Sequence, residues 1–283
     1  MSNISMEIYH LNCGTVYGFS IPSDDDTGGF FKRGRAVAHC LLVNTGEGLA
    51  LVDTGWGRRD CTAPSPPVKR FMNGSRSPRD LNETAFRQIE KLGYNPADVK
   101  HIFLTHLHMD HAGGLPDFPT ATVHVFADEL DAFQHRPTLL DWLTRAYRPE
   151  HRAHGPKWEP CTLQGDQWFG LECAPPIGVG EAEFVFIPFT GHSRGHCGVA
   201  LRTGNQWLLH CGDAYIYYRQ VGLLQPYKHP CGKLAEFIQS KMTKMSRHHW
   251  KRIRELKQAH GDQIQVFCAH DAHELKLCQM RAR

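Results

Sequence analysis

His106, His108, Asp110 and His111 place three imidazoles and a carboxylate within six consecutive positions, in the run Leu104-Thr105-His106-Leu107-His108-Met109-Asp110-His111-Ala112-Gly113-Gly114. Imidazole and carboxylate together are the donors of a transition-metal site. In an extended segment His106 and His108 project to the same side and can share one ion. Asp110 and His111 fall just beyond, where a turn swings them toward a second ion. Four donors in so short a loop are more than one ion takes comfortably, so the spacing predicts a dinuclear centre. The alternative is four unrelated surface polar residues. The Thr before, the Gly-Gly after and the alternation within argue against it.

Such a loop must be held by something rigid. The apolar run His101 to Leu104 reads as a buried strand that delivers it, and Gly113-Gly114 breaks the structure directly afterwards. Upstream, Met6 to Leu11 and Ala38 to Val43 read as strands, the second forming a hairpin with Leu49 to Val52 that ends at Asp53-Thr54-Gly55. From Gly57 to Asn82 the composition turns to Arg, Pro, Ser and Asp, which predicts a long loop over the site. Asn82 then caps a helix with Phe86, Ile89 and Leu92 on one face and Gly93 at its end. Ala121 to Phe126 is another strand and Asp128 to Gln134 a short helix.

Residues 135–169 carry His135, Arg136, Trp142, Tyr147, Arg148, His151, His154, Trp158 and Trp168 and read as an aromatic-rich insertion. Its role is open between an irregular surface segment and a substrate lining. Phe184 to Phe189 delivers Thr190-Gly191-His192, and the hairpin of Gly198 to Arg202 with Gln206 to Cys211 delivers Gly212-Asp213. Gly232 to His260 is helical by pattern, with one apolar stripe against the core and a basic outer side. Ile264 to Cys268 is a strand whose end presents His270. Two groups of strands separated by helices predict two mixed sheets packed together, with helices outside, in a single domain over 1–283.

Five blocks, taken in order, resemble the metallo-β-lactamase-fold metallohydrolases: Val52-Asp53-Thr54-Gly55, the His106 to His111 run, Thr190-Gly191-His192-Ser193-Arg194-Gly195-His196, Cys211-Gly212-Asp213 and Ala269-His270-Asp271. The chain looks most like the group containing acyl-homoserine lactone lactonases and glyoxalase II thioesterases. The resemblance implies an α/β, four-layer αβ/βα sandwich with the metals at one edge of the sheets. It implies that His106, His108 and His192 hold one metal, that Asp110, His111 and His270 hold the other, and that Asp213 bridges them. It implies that Asp53 supports the metal loop without touching a metal, the alternative being a strand-end turn residue; His196, by its distance along the loop from His192, reads as a hydrogen-bonding support of that loop, with direct ligation as the alternative. Two Zn²⁺ per chain are expected, although the same donors accept Fe or Mn.

Two cations sharing a water lower its pKa from about 16 toward about 7, which makes a bridging hydroxide the expected nucleophile. Asp110 is expected to carry a proton to the leaving alkoxide, and one of Tyr215, Tyr217 and Tyr218, with Tyr215 first, to donate to the oxyanion. The lactonases resembled have their Tyr three positions after the bridging Asp. Here that position is Ile216, which separates this chain from them in its fine specificity. The leading expectation is hydrolysis of a lactone or carboxylic ester, such as an acyl-homoserine lactone. A glyoxalase II-like thioesterase is the alternative. Asp213 stands where many β-lactamases carry a Cys ligand, which makes antibiotic hydrolysis a poor fit.

Composition narrows the classes further. The 283 residues are 41% hydrophobic, enough for a substantial core. A net charge of +3 with 19 neutral His marks no nucleic-acid footprint. The first residues lack a basic stretch followed by an apolar one, and no run of eighteen apolar residues occurs. A small-molecule substrate, a cytoplasmic location and no membrane or nucleic-acid partner are therefore expected, with a homodimer left open. Ten Cys with no C-x-x-C pair read as reduced thiols, mostly buried.

Overall fold

The computed structural model describes residues 6–18, 33–135, 147–223 and 247–281. Six strands form the first sheet in the order β1 (Glu7–Gly18), β2 (Gly34–Asn44), β3 (Leu49–Val52), β4 (Val99–Phe103), β5 (Thr122–Phe126), β6 (Lys157–Cys161). β1 to β3 pair antiparallel and β3 to β6 parallel. The second sheet runs β13 (Ile264–Phe267), β12 (Gln206–His210), β11 (Cys197–Thr203), β10 (Ala182–Pro188), β9 (Ile177–Val179), antiparallel except for β12 with β13. β7 (Asp166–Trp168) and β8 (Leu171–Cys173) make a separate hairpin.

Period-2 alternation builds the layers. Leu41, Val43, Val52 and Phe103 of the first sheet face Phe184, Phe186, Val199 and Phe267 of the second, and the rings of Phe103 and Phe184 stack at 3.9 Å. The opposite face of the first sheet, with Leu42, Leu51, Ile102 and Val123, packs on Ala85 and Ile89 of α3 (Ala85–Lys91) and on Leu130 and Phe133 of α5 (Ala127–His135). The outer face of the second sheet, with Val185, Ile187, Ala200 and Leu209, packs on Ile253 and Leu256 of α6, helical over 247–260. α7 (Ala272–Arg281) follows β13. Helix, sheet, sheet, helix is the expected four-layer sandwich.

Three expectations need correction. Residues 57–82 are not a long loop: they hold α1 (Arg58–Thr62) and α2 (Pro66–Gly74). Pro66 and Pro67 occupy the first helical positions, where their missing N–H groups cost nothing, and Val68 and Met72 bury against Trp56 and Met109 of the metal loop. The cap of α3 is Thr84, whose side chain accepts from the Arg87 N–H, while Asn82 lies in a preceding single turn; Leu92 is exposed. The segment 135–169 is not merely an insertion, because β6 completes the first sheet and His151 Nε2 lies 3.2 Å from Asp60 of α1. Trp142 and residues 232–246 of the expected long helix lie outside the described residues.

Candidate metal centre

The donors converge because the strands end together. β4 delivers His106 and His108, and α4 (Met109–Ala112) opens on the next residue, turning Asp110 and His111 inward. β10 delivers His192, β12 delivers Asp213, and β13 delivers His270. Nitrogens of His106, His108 and His192 form one cluster with separations within 4.8 Å. His106, His111 and Asp213 form a second, and Asp110, His111 and His270 a third. All seven expected ligands thus fall within three overlapping clusters, and the one that holds Asp213 shares His106 with the first and His111 with the third. One Asp213 oxygen lies 3.3 Å from His111 Nε2, while the other lies 3.2 Å from His192 Nε2 and 3.1 Å from His270 Nε2.

Three of the five rings are aimed through their other nitrogen. His111 Nδ1 lies 2.8 Å from an Asp53 oxygen. The Thr105 hydroxyl donates to Asp53 and sits 3.0 Å from His106 Nδ1, and His270 Nδ1 lies 2.8 Å from the Val37 carbonyl. What remains pointing into the site are His106 Nε2, His111 Nε2 and Asp213 Oδ1, all buried and without hydrogen-bond partners. Buried polar atoms are rarely left unpaired. A metal ion satisfies them, so the donor set fits one.

The field of the site points the same way. Burial works against the Asp213 carboxylate, but His270, His111 and His192 outweigh it and hold its pKa well below the ordinary range. Burial opposes the protonated form of His270, yet Asp213 and Asp110 push it up to about 9, and the same balance, with Asp53, raises His111. This side of the site favours positive charge, whether a proton or a cation. On the other side burial dominates: it lowers His106, takes His108 down to about 3 and His192 to about 4. Those imidazoles stay neutral, the state a metal needs.

His196 supports the loops, as expected. Its Nδ1 lies 2.8 Å from the Phe189 carbonyl and its Nε2 accepts the Asp213 N–H at 2.8 Å. Gly212 between them has φ +52, and a Cβ there would come within 2.6 Å of His196 Nε2, so no other residue fits without displacing that ring. Glu129 went unforeseen. Fully buried on α5, it accepts the Leu107 N–H and the Tyr147 hydroxyl on one oxygen and the Ser193 hydroxyl and Gly195 N–H on the other. One carboxylate therefore ties the His106/His108 loop to the His192 loop. Burial raises its pKa against all four donors. The sequence showed only an acidic residue in the first turn of a helix.

The tyrosines do not follow the expectation. The chain bends after Asp213, so the side-to-side alternation of an extended strand does not apply. Tyr215 is 2% exposed inside the second core, and its hydroxyl lies 3.0 Å from both oxygens of Glu274. That single proton is engaged away from any substrate carbonyl. Tyr217 is mostly buried and edge-on to Tyr218, 4.9 Å between centroids. Tyr218 lies against His273 and lines a cavity of about 690 Å³ to which none of the seven donors contributes. The nine cysteines of the described residues are all free thiols, and none belongs to the seven-residue donor set. Among the described residues no helix is long and apolar enough to cross a membrane.

Comparison with known proteins agrees with this geometry. Residues 33–226 match the Metallo-beta-lactamase superfamily. A protein of Mycobacterium tuberculosis named as a probable metallo-hydrolase is 39% identical over 267 residues, covering 94% of this chain and 80% of its own. An N-acyl homoserine lactonase of Bacillus thuringiensis is 35% identical over 165 residues, 58% of each chain. A solved N-acyl homoserine lactone hydrolase with N-hexanoyl-L-homoserine at its catalytic metal centre superposes with a TM-score of 0.64 at 21% identity, covering 97% of both chains. The chain belongs to the metallo-β-lactamase superfamily.

Proposed function

We propose that this superfamily member is a dinuclear metal-dependent hydrolase that opens lactones, with acyl-homoserine lactones as the first substrate class to test. The observation that carries the reading is the pair of donor groups joined through Asp213, with Asp110 as the most open carboxylate beside them. The Asp110 side chain is 22% exposed, with oxygens 3.7 Å from His270 Nε2 and 4.0 Å from His111 Nε2. The lactonases among its relatives support the choice of bond.

When bound, two Zn²⁺ ions would supply a Lewis acid for the carbonyl and an activated water. His106, His108 and His192 would hold one and Asp110, His111 and His270 the other, with Asp213 available to both. Asp110 takes the proton from the water as its oxygen attacks the lactone carbonyl carbon. It returns that proton to the ring oxygen as the carbon–oxygen bond breaks, leaving a hydroxy acid. Tyr217 or Tyr218 donates to the carbonyl oxygen while it carries charge, since Tyr215 is committed to Glu274.

The test is a panel of lactone, thioester, β-lactam and phosphodiester substrates on the zinc-loaded protein, together with Tyr217→Phe and Tyr218→Phe. Lactones should give the highest kcat/KM, and one Phe variant should lose about ten- to a hundredfold with metal content unchanged. A higher kcat/KM on thioesters would replace the lactonase reading with the thioesterase one.

A further inference from the structure

A second group of ligand atoms converges outside the hydrolytic centre. His10 on β1, His39 on β2 and Cys278 on α7 each offer one donor atom, and these lie within 4.8 Å of one another. His10 Nδ1 and His39 Nε2 are 2.8 Å apart. All three residues are buried. The His39 ring stacks on Phe267 at 4.6 Å, and the His10 ring meets the same phenylalanine edge-on at 5.3 Å. Nδ1 of His39 is buried without a hydrogen-bond partner. The Gln265 amide donates to the Cys278 sulfur at 3.0 Å.

We infer that His10, His39 and Cys278 form a further metal site, separate from the hydrolytic centre, for a thiophilic ion such as Zn²⁺. Thiolate with imidazole selects zinc and its neighbours over calcium or magnesium. Burial takes His10 down to about 4 and holds His39 well below the usual imidazole value, so both rings are neutral, as ligation requires. The thiol is pushed up to about 12 by burial, and binding would displace its proton to solvent as the ion's charge replaces it. Two nitrogens on a tetrahedral ion with bonds of ~2.0–2.1 Å stand about 3.3 Å apart. The rings would therefore part by about half an ångström. His108 and His192 of the hydrolytic centre sit at a comparable 3.0 Å.

The placement gives the site a structural use. α7 begins two residues after His270, and the His270 ring is held at Val37 of β2. Cys278 lies one position before Gln279, whose amide donates to the His10 carbonyl at 2.9 Å. An ion here would pin the distal half of α7 to β1 and β2 and so brace the turn that carries a hydrolytic ligand. Only three protein donors converge, so a tetrahedral ion here would complete its shell with one small ligand such as water.

The alternative is a neutral imidazole pair packed beside a thiol, and cobalt distinguishes the two. The hydrolytic donors are nitrogen and oxygen only, so a thiolate-to-cobalt charge-transfer band in the Co²⁺-loaded protein must come from a cysteine. The parent should show that band and bind one more equivalent of Co²⁺ than Cys278→Ser or His10→Gln. Both variants should lose the band and keep the visible d–d bands of the remaining ions. A parent protein without the band overturns the site, even if neither variant folds. A band that survives in Cys278→Ser overturns it as well.

Discussion

The two halves of the hydrolytic centre are built on opposite electrostatic principles. His106, His108 and His192 lie among apolar walls and other imidazoles, and burial holds them neutral. His111 and His270 lie among Asp53, Asp110 and Asp213, which raise both above an ordinary imidazole. One half offers neutral donors already free of protons, and the other offers negative charge that a cation must win from protons. Their supports differ in kind. Glu129 ties two loops together through four donors around the first half, whereas Asp53 aims a single ligand ring in the second and reaches the first only through Thr105. If each half holds an ion, as proposed, the two should differ in affinity and in response to pH.

The comparison breaks first at Asp213, the residue both halves share. Asp213→Ala should lose both metals on elemental analysis and cut turnover about 10³-fold or more, since the charge joining the halves is gone. A variant that keeps both equivalents would mean that the halves are independent. In the proposed reaction Asp110 has two roles, as a ligand of one half and as the proton carrier. Asp110→Asn should therefore lower kcat by about 10² with metal content retained; unchanged kcat would leave Asp110 a ligand only.

The supports sharpen the contrast. Glu129→Gln should weaken the ion held by His106, His108 and His192 by about 10- to 100-fold, read by titration with a chromophoric chelator, and leave the other ion in place. Glu129→Ala strands four buried donors at about 1–3 kcal/mol each and should also lower Tm clearly. Asp53→Asn should instead weaken mainly the ion on His111. If each variant loses both ions equally, the halves are not separately supported.

The smallest effect is the pH dependence of the metal-free protein. His108 and His192 have depressed pKa values, about 3 and about 4, so the unfolded chain takes up protons that they refuse, and stability falls as pH drops below about 6.5. His270 is raised to about 9, so its contribution is full below about 6.5 and is lost as pH rises through 9. Melts of chelator-treated protein should show both limbs, and His270→Gln should flatten the alkaline one by a few degrees. An alkaline limb unchanged in that variant would remove His270 as its source.

Much of the centre was legible because its donors are close in sequence or sit at strand ends. His106 to His111 are a local pattern, and each of His192, Asp213 and His270 follows an apolar run that must be a strand in the core. The unbroken apolar run of Leu41, Leu42 and Val43 likewise announces a strand covered on both faces. Pro66-Pro67 after Ser65 is a helix start that composition masked, since Arg, Ser and Pro also make loops.

Local pattern determined which residues can bind a metal and which segments are strands, because spacing along the chain sets those directly. Tertiary structure alone decided what each side chain meets across the molecule. Glu129 is an ordinary first-turn acid until α5 is laid against the Ser193 loop, which then surrounds it with donors. Tyr215 looks like a phenol near the metals until Glu274, 59 residues away, accepts its proton. His10, His39 and Cys278 have no relation until the first strands and the last helix close on one another. Hydrogen bonds and ligand geometry act over about 3 Å of space, and no spacing along the chain encodes which distant residue will occupy it.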